Sequence, residues 1–308
     1  MKTFFTSVKT KVVLFLMTFA LLVVSVSCHG DPVYTDPEVK TLVSDFDANE
    51  GVSVDRQGNI YASNFGQFDG ATATGSGTTL LKATRRGEVV TYATELGGPV
   101  GNAIDSKGNV YVVNFNTKEI IKITQDGSKT VFATIEGYPT GVAIDKFDNV
   151  YVSNIGSYAL HKVTPEGEVT EFANDTTLGG GVGMDFDSKG NLIVANQITG
   201  EIVSIDPEGT ISLIVQVPDL GEPGLRIGHC TIINDIIYGT GMSVHKIFSV
   251  TLDGEVNFIA GTGEAGFADG PLLEASFDTP NGIAADKRKK ILYITEYGNT
   301  TLRKIKLY

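Results

Sequence analysis

Six copies of one short pattern run along this 308-residue chain. Gly51-Val-Ser-Val-Asp-Arg-Gln-Gly-Asn-Ile-Tyr-Ala-Ser-Asn64 returns as Gly101-Asn-Ala-Ile-Asp-Ser-Lys-Gly-Asn-Val-Tyr-Val-Val-Asn114. Further copies start at Gly141 and Gly183, a degenerate one runs from Gly228 to Gly241, and the last runs from Gly282 to Glu296. Each copy alternates apolar strand segments with turn residues. A period of roughly 40 to 50 residues built this way is the signature of a β-propeller with one repeat per blade. The expected fold is therefore all-β: six blades of four antiparallel strands each.

Within a repeat the strands can be placed. The first is of the Val52–Asp55 type, and a turn such as Arg56–Asn59 leads to the second, Ile60–Ser63. The third is of the Leu80–Ala83, Ile120–Ile123 or Leu160–Val163 type. A glycine-bearing turn, at Gly87, Gly127, Gly167, Gly209 or Gly254, then leads to the fourth. No helix is expected. The segment Glu38–Phe46 resembles a fourth strand with no blade before it, while the last repeat lacks a fourth strand of its own. Pairing the two closes the ring and removes an exposed sheet edge.

Residues 1–27 read as a targeting segment. Lys2, Lys9 and Lys11 precede an uncharged apolar run from Val12 to Val26, too short for a comfortable span. Ser25-Val-Ser-Cys28 resembles a bacterial lipobox, which implies a lipidated Cys28, a tether over residues 28–36 and a propeller over 37–308. The expected location is the bacterial cell envelope, extracytoplasmic and held to the membrane by the lipid alone. Cys230, the second of two cysteines, is then a buried small residue without a disulfide partner.

Charge excludes one class of partner. With 24 basic and 36 acidic residues the net charge is −12, which argues against nucleic acid. A cation, a small neutral or hydroxyl-rich ligand, or another protein fits better, and the chain is expected to be a monomer.

The last repeat, from Ala260-Gly-Thr-Gly-Glu-Ala-Gly through Asn281-Gly-Ile283 to Thr301-Leu-Arg-Lys304, resembles an NHL repeat. Residues 38 to 308 resemble the wider six-bladed superfamily that includes NHL proteins and the senescence marker protein–gluconolactonase family. That likeness implies a channel-mouth site for one divalent cation (Ca, Mn or Zn). The family's Glu-Gly element matches Glu50-Gly51, and its Asn-Gly element matches Asn281-Gly282. The corresponding places in repeats two to four hold Val100, Thr140 and Val182, so Asn102, one residue later, is the remaining candidate metal ligand.

A second set of candidates comes from the repeat itself. Asn64, Asn114, Asn154 and Asn196 end the second strand of their repeats, and Glu296 takes that place in the last. They are expected near the same mouth, as a ring suited to a hydroxyl-rich ligand, or else as caps of their own turns. His229 is the histidine expected at the mouth and the candidate general base; His161 and His245 are expected at a matched structural place in strand three. Three loops that break the repeat length, 66–79, 217–228 and 261–280, are expected on this face. Two functions follow: a membrane-anchored binding module for a ligand or protein, or a metal-dependent lactonase-like hydrolase.

Overall fold

The computed structural model describes residues 36–308. Six blades surround a central channel. Blade one comprises Val52–Val54, Ile60–Asn64, Thr79–Ala83 and Val89–Ala93, paired antiparallel in chain order from the axis outward. Blades two to five repeat this arrangement, with innermost strands Pro99–Ile104, Tyr138–Ile144, Gly181–Phe186 and Ile227–Ile233. The one helical element among the described residues is a 3-10 turn at Thr176–Leu178, capped by Asp175.

Blade six is built from both chain ends. Pro280–Asp286, Ile291–Glu296 and Thr301–Lys306 are completed by Glu38–Ser44, with Val39 opposite Ile305 and Thr41 opposite Arg303. The expected closure is present, and it carries an addition. Gly270–Pro271 pairs with Val39 and Glu38, so this sheet has five strands and the long loop before blade six straps the closing strand. Asp269 in that loop accepts hydrogen bonds from the Thr41 amide and hydroxyl, each at 2.9 Å. Val39 and Phe46 are buried in the seams this strand completes. Each contributes on the order of 1.5–3 kcal/mol.

The repeat pattern has two physical origins. At the outer edge, every blade carries a β-bulge between strands three and four, which skips Tyr92, Phe132, Phe172, Ile214, Ile259 and Leu42 in turn. The bulge tightens the twist and turns the extra side chain onto the sheet face. Tyr92, Phe132 and Phe172 thereby meet Tyr61, Tyr111 and Tyr151 edge-on at 4.9, 4.9 and 5.0 Å.

At the axis, the glycine that opens each repeat has no room for a side chain. A Cβ on Gly51 would lie 2.8 Å from the Val100 carbonyl oxygen, one on Gly101 2.5 Å from Thr140 O, and one on Gly141 1.9 Å from Val182 O. Gly183 abuts the Cys230 amide, Gly228 the Asn281 carbonyl and Gly282 the Glu50 carbonyl. Each blade thus rests backbone-to-backbone on the next, right round the ring. Thr240 and Thr295 hydroxyls reinforce the last two seams by donating to Asn281 O and Glu50 O, both at 2.7 Å.

At the turns between strands one and two, on the face opposite Glu50, Asp55, Asp105, Asp145 and Asp187 accept from the backbone and side-chain amides of Asn59, Asn109, Asn149 and Asn191. This accounts for the Asp and Asn of the repeat.

Candidate functional site

The face that carries Glu50 and Asn281 opens into a cavity of about 390 Å³. Its floor is formed by Glu50, just before the first innermost strand, and by Val100, Thr140 and Val182, near the start of the next three. Its wall is a ring of six side chains, Phe65, Phe115, Ile155, Gln197, Met242 and Tyr297. Each stands one residue after the end of its blade's second-strand repeat, directly following Asn64, Asn114, Asn154, Asn196, Gly241 and Glu296. Phe68 and Leu225, from the loops 66–79 and 217–228, complete the rim. Phe68 is held there by a small hairpin, Phe68–Asp69 with Thr74–Gly75.

The expected ring of amides is therefore displaced by one residue. Side chains alternate at a strand end, so a residue tied to its own loop delivers its successor to the mouth. Asn154 accepts from the Tyr138 amide and donates to Glu136 O. Asn196 donates to Thr177 O and accepts from the Ile198 and Thr199 amides, and Asn64 donates to Asp47. Asn114 is buried, with its side-chain oxygen unpartnered. Glu296, fully buried, accepts from the Asp278 amide, Asn299, Thr301 and Arg303. None of these five lines the cavity. The turn-capping alternative holds for Asn154 and Asn196, and the lining is apolar where a hydroxyl-rich ligand was expected. The signal that marks the true lining was present: five of the six residues after the strand ends are aromatic or aliphatic, at turn positions that are usually polar.

Among the expected metal ligands, Asn102 turns into the seam between blades one and two. Its amide donates to Gly51 O and the Ser63 hydroxyl, and its oxygen accepts from Ser53. Asn281 is buried, donates to Asn49 O and has an unpartnered side-chain oxygen. Among the described residues no three His, Cys, Asp or Glu side chains converge. The full oxygen-ligand set of the lactonase likeness does not fit these residues, because Asn102 is committed to structure and Val100 and Val182 carry no donor atom.

Glu50 and His229 do meet. Glu50 Oε2 lies 3.1 Å from His229 Nε2, and both side chains are nearly buried. Glu50 lines the upper cavity, whereas His229 lines the narrower channel below it, about 230 Å³ in volume. Their hydrogen bond marks the boundary between the two spaces. With the carboxylate as acceptor, Nε2 is the donor of this contact and Nδ1 is the ring nitrogen left for another partner. Neither Nδ1 nor Glu50 Oε1 has a hydrogen-bond partner among the described residues. Tyr297 completes the polar end: burial pushes its phenol up, the Phe68 backbone opposes this, and the Glu50 charge adds to it.

The remaining expectations resolve simply. Cys230 is buried and free, and burial pushes its thiol up. His161 lies within strand three, but His245 precedes its strand in a left-handed turn at φ 55°, so the two places do not match; Phe248 is the counterpart of His161. His245 Nδ1 accepts from the Thr279 amide, a structural role. The loop 261–280 runs to the outer edge of blade six and lines none of the cavity. Cys28 and the targeting segment lie outside the described residues.

No protein-family model and no curated protein sequence matches the chain. Solved structures do. An auxiliary nutrient binding protein from Bacteroides ovatus aligns with a TM-score of 0.71 at 17% identity, over 88% of this chain and 76% of that one. A gluconolactonase from Xanthomonas campestris aligns at 0.65 and 15% identity, over 88% and 89%. A virginiamycin B lyase from Staphylococcus aureus aligns at 0.62 and 16% identity, over 89% and 99%. The chain is similar to all three, and at these identities the likeness is one of fold.

Proposed function

We propose that this chain is a binding propeller that takes a small, mainly apolar molecule into the loop-face cavity. The observation that carries the reading is the convergence of Phe65, Phe115, Ile155, Met242 and Tyr297, one from each of five blades, on one concave space above a buried polar pair. Enclosed apolar space with few polar groups is the usual character of a ligand site. The nutrient binding protein from Bacteroides ovatus, which is similar in fold, supports the same class of function. The location belongs to the proposal too: an envelope protein tethered through Cys28, mouth open to its surroundings.

The test is ligand-observed NMR with a library of small aromatic and aliphatic fragments. Phe115→Ala should abolish the hits, whereas Phe147→Ala, an exposed residue on the opposite face, should leave them unchanged. Hits indifferent to Phe115→Ala would place binding elsewhere.

The Glu50–His229 pair favours a second reading, a hydrolase or lyase in which His229 Nδ1 acts as the base and Glu50 orients the ring. A panel of lactones and esters tests it. Turnover lost in both Glu50→Gln and His229→Gln supports catalysis, and a silent panel leaves binding alone.

A further inference from the structure

Resting on the binding reading, we infer that the cavity selects an organic cation, a protonated or quaternary amine carried on an apolar body. Two independent features converge on that chemistry. The first is a continuous aromatic surface on one side. Phe65 stacks on Phe68 at 6.3 Å and meets Phe115 edge-on at 5.7 Å, Phe68 meets Phe115 at 6.4 Å, and Tyr138 stacks on Phe115 at 5.4 Å. Aromatic faces present negative potential and attract a cation most strongly when it leaves its water behind.

The second is the charge of the space. Glu50 is the one acid of the lining, and no Lys or Arg lines it. Its Oε2 meets the His229 ring while Oε1 stays free of any protein donor among the described residues. The lining therefore offers a carboxylate at the floor of an apolar room and no Lys or Arg to answer it. An anionic ligand meets repulsion there, and a neutral one leaves that carboxylate oxygen desolvated without a partner, which is costly. A cation answers both. It sets its charge beside Glu50 and the Tyr297 phenol and its body against Phe65, Phe68 and Phe115. The net charge of −12 adds a long-range bias toward cations.

The test uses three probes of nearly equal shape: benzyltrimethylammonium, its neutral isostere neopentylbenzene, and the anion 3-phenylpropionate. Dissociation constants are read by NMR titration. The wild-type protein should prefer the ammonium over the neutral probe by about tenfold or more, as a desolvated cation–π contact beside a carboxylate implies, and should not bind the anion measurably. Glu50→Gln should erase most of that preference, by weakening the ammonium and relieving the neutral probe of the desolvated carboxylate. Equal or tighter binding of neopentylbenzene to the wild type overturns the cation inference and leaves the binding site standing. A preference that survives Glu50→Gln overturns it as well. Failure of all three probes at millimolar concentration overturns both readings. The wild-type comparison needs no variant, so it stands even where a substitution lowers stability.

Discussion

The ring closure has a buried cation at its centre, and removing that charge is the most direct test of how the blades are held. Arg303 is fully buried in the third strand of blade six, opposite Thr41 of the closing strand. It donates to Asp269 at 2.8 Å, Ser276 O at 2.9 Å, Ala268 O at 3.0 Å and Glu296 at 3.5 Å, and lies 5.1 Å from the Phe277 ring centre. Arg303→Met keeps the apolar stem and removes the cation. Glu296, which is also fully buried, then loses its counter-charge. Breaking a buried pair from one side costs roughly 3–5 kcal/mol. For a domain of this size that corresponds to a fall in Tm of about 6–20 °C.

The pH dependence makes the reasoning sharper. Burial holds the Glu296 carboxyl above its ordinary range, against the hydrogen bonds from Thr301 and Asp278 and the charge of Arg303. A raised carboxyl contributes stability at low pH that is lost as pH rises through the folded value. Without Arg303 that value rises further, so the folded variant takes up a proton sooner. Asp269 acts in the same sense only in stronger acid: burial opposes it, but Thr41 and Arg303 hold its carboxyl below the ordinary range, so the parent loses that contribution below the usual carboxylate range. The deficit of Arg303→Met should therefore be smaller in mild acid than at neutral pH in scanning calorimetry. Adding Glu296→Gln to the variant should recover part of the loss at neutral pH. A Tm within about 2 °C of the parent, or a deficit that widens in acid, would refute the account.

Four further outcomes are expected. Deleting residues 36–47 removes the closing strand and the partner of the strap, and circular dichroism should show a chain melting far below the parent or not folding at all. Gly141→Ala drives a methyl into Val182 O and should cost on the order of 3 kcal/mol in urea unfolding, whereas Gly70→Ala, with open space around it, should stay within about 0.5 kcal/mol. Cys28→Ala should move the protein from the membrane fraction to the soluble fraction and abolish labelling by a fatty-acid analogue. Calcium, manganese or zinc should leave Tm unchanged; a gain of several degrees that disappears in Glu50→Gln would restore the metal site.

The fold was legible because its causes are local and repeated. The Gly of each repeat answers a contact with the neighbouring blade, the Asp and Asn hold one turn, and the orphan strand at 38–46 matches the missing one after Lys306. The site was legible only by address. Glu50 and His229 were named as mouth residues, but their partnership spans 179 residues and no local pattern encodes it. The repeated amides stand outside this cavity, and for Asn154 and Asn196 the capping alternative accounts for the repetition, since their loops need them. The side chains that differ from blade to blade, Phe65, Phe115, Ile155, Gln197, Met242 and Tyr297, are the ones left free to meet a ligand. The strap over the closing strand was hidden for another reason, since two residues paired at Gly270–Pro271 carry no strand periodicity.

The six glycines at the axis act together as an iris whose blades touch through main chain. Its diameter is set by peptide groups in contact, and it holds for as long as these six positions carry no side chain. The wall above it is supplied by six separate positions, each on its own hairpin end and none of them part of the iris. Recognition and architecture are thus carried by different atoms of the same repeat. Exchanging the wall residues in combination re-tailors the cavity while the aperture beneath keeps its shape, which makes these six positions natural ones to randomise when a new small-molecule binder is sought on this scaffold.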